Sequence, residues 1–79
     1  MRNINKARYR RLRQLLTKRR RDLGLTQADL AKRLRRNQTF VRKYELGTRR
    51  LDVVDFLTVA EALQLRPTMV IRRICQSDQ

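Results

Sequence analysis

Gln38, Thr39, Arg42 and Lys43 face outward on a short stretch whose Val41 and Tyr44, spaced i, i+3, face inward. Their chemistry is non-covalent recognition, in which an amide and a hydroxyl donate and accept hydrogen bonds beside two cations that attract anions. A glutamine placed at the start of such a stretch can make two hydrogen bonds to an adenine edge. Covalent chemistry has little to work with. The chain has no histidine and one cysteine, Cys75, which excludes any disulfide within the chain and a zinc site of the usual two-Cys, two-His or four-Cys composition. Paired carboxylates on one face, a Gly-rich phosphate loop and a nucleophile with a base partner are all missing. No catalytic residue, metal ligand, cofactor or small-molecule ligand is expected, and an enzyme is disfavoured.

The elements that must carry the four side chains lie between Thr26 and Gly47, in T-Q-A-D-L-A-K-R-L-R-R-N-Q-T-F-V-R-K-Y-E-L-G. Thr26 supplies a capping hydroxyl, and Asp29 three residues on is the acidic member of a capping box, so a first helix begins near Gln27. Leu30, Ala31 and Leu34 form its apolar stripe, which Arg35-Arg36-Asn37 breaks as a turn. Asn37 caps a second helix, and Gly47 offers the left-handed residue that commonly ends one. A polar, cationic face is thus mounted on a small apolar base.

Residues 24–34 and 37–47 resemble the helix-turn-helix of the phage repressor and Cro family, also called the xenobiotic-response-element (XRE) type. Gln27 opens the first helix, Ala31 is the small residue at the helix crossing, and Leu34, Val41 and Tyr44 hold the apolar positions. The likeness continues through R-R-L-D-V-V-D-F-L-T-V-A-E-A-L and covers roughly residues 12–71. It implies a repressor-like domain whose second motif helix lies in the major groove of double-stranded DNA. Gln38, Thr39 and Lys43 are then the base-reading residues, lysine favouring guanine acceptors. Gln27, Arg42, Thr48, Arg49 and Arg50 go to phosphates, the last three in a basic loop that follows the DNA backbone. The resemblance also implies a partly buried pair between Arg20 and Glu45, the alternative being two unrelated surface charges. One position departs from the pattern, since the turn usually has glycine where this chain has Arg35. A non-glycine residue held left-handed costs about 1 kcal/mol, so the turn is either strained or differently shaped. Phe40 either touches a thymine methyl or, the favoured reading, packs beneath its helix.

Outside the motif, Lys6 to Leu23 reads as a long basic amphipathic helix with Tyr9, Leu12, Leu15, Leu16 and Leu23 on its apolar side and Gly24 as its stop. Its basic face is either a solvated surface or a row that sets Arg8, Arg11 and Arg19 along a phosphate strand. Asp52 caps a helix from about Val53 to Gln64, with Asp55 in the first turn, where the helix dipole favours an acid. Phe56, Val59, Ala60 and Leu63 form its inner face. A last helix runs from about Pro67 to Cys75. Its Met69, Val70, Ile71 and Ile74 spread apolar surface over more than one face, either as an interface with a second copy or as the completion of one core. Cys75 is expected to pack as a small apolar residue. With no strand alternation and no hairpin signal, the fold class is all-α. The expected architecture is a compact five-helix bundle in a single domain, residues 1–79, with 1–5 as a mobile arm and 76–79 as a frayed tail.

A domain of 79 residues buries only about 60–65% of the surface that its unfolded chain exposes, which favours a homodimer. Its formal charge of +14 draws polyanions through release of their counterions, but nucleic acid, anionic membrane and ribosome all satisfy charge alone. No apolar run approaches the ~20 residues of a membrane span, and the N-terminus lacks the apolar core of a secretion signal, so a cytoplasmic location is expected. A membrane-surface role for Lys6–Leu23 is disfavoured because that helix lacks Trp and Phe. A general nucleic-acid coating protein, for DNA or RNA, needs aromatic residues over an exposed face for stacking, and only two Tyr and two Phe are present. An antitoxin or other component of a DNA-binding complex is the alternative that coexists with DNA binding. The expected function is a sequence-specific transcriptional regulator that binds a near-palindromic operator as a dimer. It would act by occupancy, as a repressor at a promoter or by presenting a surface to RNA polymerase, with a toxin as the other conceivable protein partner.

Overall fold

Short polar side chains start three of the helices, and left-handed residues follow the ends of four. The computed structural model describes residues 4–76, which form α1 (Ile4–Asp22), α2 (Gln27–Leu34), α3 (Gln38–Leu46), α4 (Val53–Ala62) and α5 (Pro67–Gln76), with no strand among them. At α2, Thr26 Oγ1 accepts from the Asp29 N–H at 3.0 Å and the Asp29 carboxylate accepts from the Thr26 N–H at 2.9 Å. That second bond holds the Asp29 carboxyl below its ordinary pKa. Its contribution to stability is therefore present above about pH 4 and lost as the pH falls through the lowered value. Asn37 and Asp52 cap α3 and α4 in the same way, accepting from the Phe40 N–H at 3.0 Å and the Asp55 N–H at 2.7 Å.

The stops account for most departures from the expected boundaries. Gly24 (φ 73°), Arg35 (φ 56°) and Gly47 (φ 88°) end α1, α2 and α3. A Cβ at Gly47 would lie 2.8 Å from Arg13 Cζ, so the Arg13 side chain would have to swing aside as well. After α4 the chain turns through Gln64, also left-handed at φ 59°. Its N–H bonds to Glu61 O and the Leu65 N–H reaches back to Ala60 O, so α4 closes two residues earlier than expected. At the other end α1 begins at Ile4, which makes Ile4 and Asn5 helical; the rest of the expected arm lies outside the described residues. The same holds for the expected tail beyond Gln76, itself the last residue of α5.

Leu30, Ala31 and Leu34 of α2 meet Phe40, Val41 and Tyr44 of α3, with Leu16 of α1, Val59 of α4 and Leu63 just past the end of α4, in one core. Phe56 and Ala60 of α4 meet Val70 of α5 in an adjoining cluster, and Leu12, Leu51 and Leu65 touch both. Here the expected interface set on α5 needs correction. Val70 is fully buried and Ile74, one turn on, packs on the same cluster, because residues four apart share a helix face. Only Met69 and Ile71 stay exposed, and Cys75 is exposed rather than packed.

Of the two alternatives for the turn, Arg35 takes the strained one, φ 56° and ψ 40°. Arg35→Gly should stabilise the fold by about 1 kcal/mol, the left-handed cost relieved, which is about 4–8 °C in Tm for a domain of this size. An unchanged urea midpoint would mean that the Arg35 side chain offsets its own backbone strain.

Candidate nucleic-acid interface

α3 is fixed from behind by a buried ion pair. Arg20, in the last turn of α1, donates from Nε to Glu45 Oε2 at 2.7 Å and from a terminal nitrogen to Oε1 at 3.0 Å. The two side chains are only 9% and 6% exposed. The other terminal nitrogen of Arg20 donates to the Leu25 carbonyl at 2.8 Å, and Gln27 Nε2 donates to Glu45 Oε1 at 3.0 Å. The hydrogen bond to Glu45 raises the Arg20 pKa against the opposing effect of burial. A fork of this geometry admits one mutual placement of α1, the α1–α2 corner and the end of α3. Gln27, expected on a phosphate, thus commits one of its two amide N–H groups to the pair.

In front of this anchor, Gln38, Thr39, Arg42 and Lys43 are all exposed. Gln38 with Arg42 and Thr39 with Lys43 stand four apart, which sets them in two adjacent rows along α3. Phe40 is buried and meets the Tyr44 ring edge-on, with centroids 5.6 Å apart. It belongs to the base of the helix. Burial also pushes the Tyr44 phenol well above its ordinary pKa, so it is protonated at any physiological pH.

The loop after α3 is curled against the helix end. The backbone N–H groups of Gly47, Thr48 and Arg49 and the Thr48 hydroxyl all converge on the Lys43 carbonyl, at 3.0 to 3.3 Å. Tyr9, read from the sequence as an apolar core position, pins the loop instead: its hydroxyl donates to the Arg49 carbonyl at 3.1 Å and accepts from the Leu51 N–H at 2.8 Å. The Arg50 guanidinium sits 5.2 Å above the Tyr9 ring. Thr48, Arg49 and Arg50 are exposed, so the cationic segment has a defined backbone with outward side chains. Arg19, one of three α1 arginines considered for a phosphate strand, is turned inward and donates to the Leu63 carbonyl at 3.0 Å. Arg36 and Asp55 were not singled out from the sequence as parts of this region, and both lie within it.

A helix that presents amide, hydroxyl and cationic groups to solvent, beside a cationic loop and on a rigid base, is the site of a helix-turn-helix DNA-binding domain. Residues 16–70 match the helix-turn-helix family model. The solved structure of an XRE-family like protein from Pseudomonas syringae pv. tomato str. DC3000 superposes with a TM-score of 0.91 at 37% sequence identity, over 96% of this chain and 93% of that one. No curated protein is significantly similar to the chain. The chain belongs to the XRE-type helix-turn-helix family, a family of DNA-binding regulators. Among the described residues no helix is long and apolar enough to cross a membrane.

The anchor can be tested by removal. Glu45→Ala leaves the Arg20 guanidinium buried and unpaired and should destabilise the fold by about 3–5 kcal/mol, whereas an exposed pair contributes below about 1 kcal/mol. Urea unfolding distinguishes the two, and the Arg20→Ala, Glu45→Ala double variant should be far less destabilised than the sum of the single changes.

Proposed function

We propose that the chain is a sequence-specific regulator that lays α3 in the major groove of double-stranded DNA, where every base pair shows a distinct pattern of donors and acceptors. The observation that carries this reading is the pairing of an exposed, polar α3 face with a buried fork that holds it still. Gln38, Thr39 and Lys43 read bases in this proposal. Arg42, Thr48, Arg49 and Arg50, with the second N–H of Gln27, contact phosphates, which position the protein without specifying sequence. Regulation follows from occupancy of an operator, by repression at a promoter or by contact with polymerase. The site of action would be cytoplasmic DNA.

A homodimer on a near-palindrome completes the proposal, with half-sites about one helical turn, ~34 Å, from centre to centre. Met69 and Ile71 on α5 offer a small apolar contact. The first turn of α4 is the better surface: Val53 and Val54 are 73% and 69% exposed, Leu57 lies beside them, and α4 has no lysine or arginine. Two copies of a chain charged +14 meet there with the least repulsion. Val54→Glu should weaken self-association at least about tenfold, as one buried charge in an apolar contact costs more than 1.4 kcal/mol. Sedimentation of the wild type and the variant checks this, and a wild type that is monomeric both free and on DNA would contradict the dimer.

Base reading and phosphate contact predict different losses. Gln38→Ala should cost about 1–3 kcal/mol on the preferred site, relax tolerance at one base pair per half-site and change binding to random DNA little. Arg42→Ala should weaken all DNA alike and lower the magnitude of the salt slope by about 1. Binding to single-base variants of the site at several salt concentrations measures both. Equal weakening of preferred and random DNA by Gln38→Ala would favour a charge-driven coating protein.

A further inference from the structure

Four residues with no regular spacing in the sequence meet beside the first turn of α3. The guanidinium carbons of Arg36, in the turn before α3, and Arg49, in the loop after it, lie 3.9 Å and 4.9 Å from the centroid of the Phe40 ring. Asp55, in the first turn of α4, reaches both. Its Oδ1 accepts from Arg36 at 3.0 Å and its Oδ2 lies 3.9 Å from a terminal nitrogen of Arg49. The Asp55 side chain is 15% exposed, while those of Arg36 and Arg49 are 38% and 46% exposed.

Two guanidinium groups brought to one ring repel each other, and each arginine gives up rotamer freedom when held. The negative face of the ring and the single carboxylate between them offset both terms. The carboxylate serves no cap of its own helix, because that role belongs to Asp52, to which Asp55 contributes only its backbone N–H. What the carboxylate does is place the arginines. With two cations and one anion the cluster keeps a net charge of +1. Each guanidinium has five N–H donors, and the half-exposed ends offer them to an anion from a fixed geometry.

We propose that Asp55 is a positioning residue for DNA binding, and that together with the Phe40 ring it holds Arg36 and Arg49 as one preformed clamp for a backbone phosphate at the edge of the groove that α3 enters. The proposal rests on the docking of α3 described above and adds Arg36 to the contacts. Phosphate is the matching anion, since its oxygens take parallel N–H bonds from a guanidinium fork. Preformation matters because the ordering of two long side chains is then complete before DNA arrives.

The sign of one substitution separates this from a bland reading in which Asp55 only neutralises nearby charge. Asp55→Ala raises the net charge by one, so charge alone predicts tighter binding and a steeper salt dependence. The clamp predicts the reverse. Fluorescence anisotropy of a labelled random-sequence duplex, titrated with the full chain at several salt concentrations, should show Asp55→Ala binding about 3- to 10-fold more weakly, with a slope shallower by about 1. Arg36→Ala should do the same, and the Arg36→Ala, Asp55→Ala double variant should bind little worse than either alone. Circular dichroism melts fix a temperature at which every variant is folded, and lost stability by itself does not move the salt slope there. Asp55→Asn, which keeps an acceptor for Arg36 without the charge, should fall between Asp55→Ala and the wild type. Binding by Asp55→Ala as tight as the wild type or tighter, or effects of the two substitutions that multiply, overturns the clamp alone. A wild type that leaves the duplex unbound overturns the docking of α3 itself.

Discussion

The placement of α3 depends on the Arg20–Glu45 fork. Each partner is nearly out of water, and each satisfies a further group, the Leu25 carbonyl on one side and the Gln27 amide on the other. A buried ion pair adds little net stability over apolar side chains of the same volume, because removing two charges from water costs as much as their attraction returns. Its directional demand is what counts: four hydrogen bonds in one register admit one arrangement, while an apolar contact admits many. The base-reading role proposed for α3 needs that restriction, since displacement by an ångström changes which donor meets which acceptor.

The few acids of the chain extend the same logic. The sequence holds seven acids against 21 lysines and arginines. Asp29 and Asp52 cap helices, Glu45 holds Arg20, Asp55 holds Arg36, and Asp22 pairs with Lys18 at 2.8 Å. Negative charge is concentrated at joints, and the surplus of positive charge is left to the surface. Such a chain repels itself in dilute salt, and a polyanion that binds only the folded form relieves that repulsion and stabilises the fold by mass action. Affinity for DNA and stability are therefore linked through the same arginines.

The legible part of this structure was the part written in local signals. Thr26 with Asp29, Asn37, Asp52 and Gly47 mark helix ends through bonds that span three or four residues, and the apolar stripes of α2 and α4 match the buried side chains, whereas in α3 the stripe gives Val41 and Tyr44 and leaves Phe40 open between groove and core. The fork between Arg20 and Glu45 was legible only through the resemblance to a family, because nothing local links residues 25 apart. Misreadings have the same cause. Val70 and Ile74 look like Met69 and Ile71 in a sequence, and only the packing of α5 on α1 and α4 divides them into core and surface. Tyr9 has apolar helical spacing, yet its hydroxyl serves a loop 40 residues away. The Arg36, Phe40, Arg49 and Asp55 cluster leaves no trace in spacing, since its members come from a turn, a helix, a loop and the next helix. Gln64 falls outside α4 because the corner at Leu65, bonded back to the Ala60 carbonyl, turns the chain there.

The central claim is that α3 distinguishes sequences. Selection of bound sites from a pool of random double-stranded DNA, carried out with the full chain at near-physiological salt, tests it most directly. The account predicts enrichment of one near-palindromic sequence with half-sites about one helical turn apart. A pool bound without enrichment of any sequence would contradict it, leaving a protein that binds DNA by charge alone.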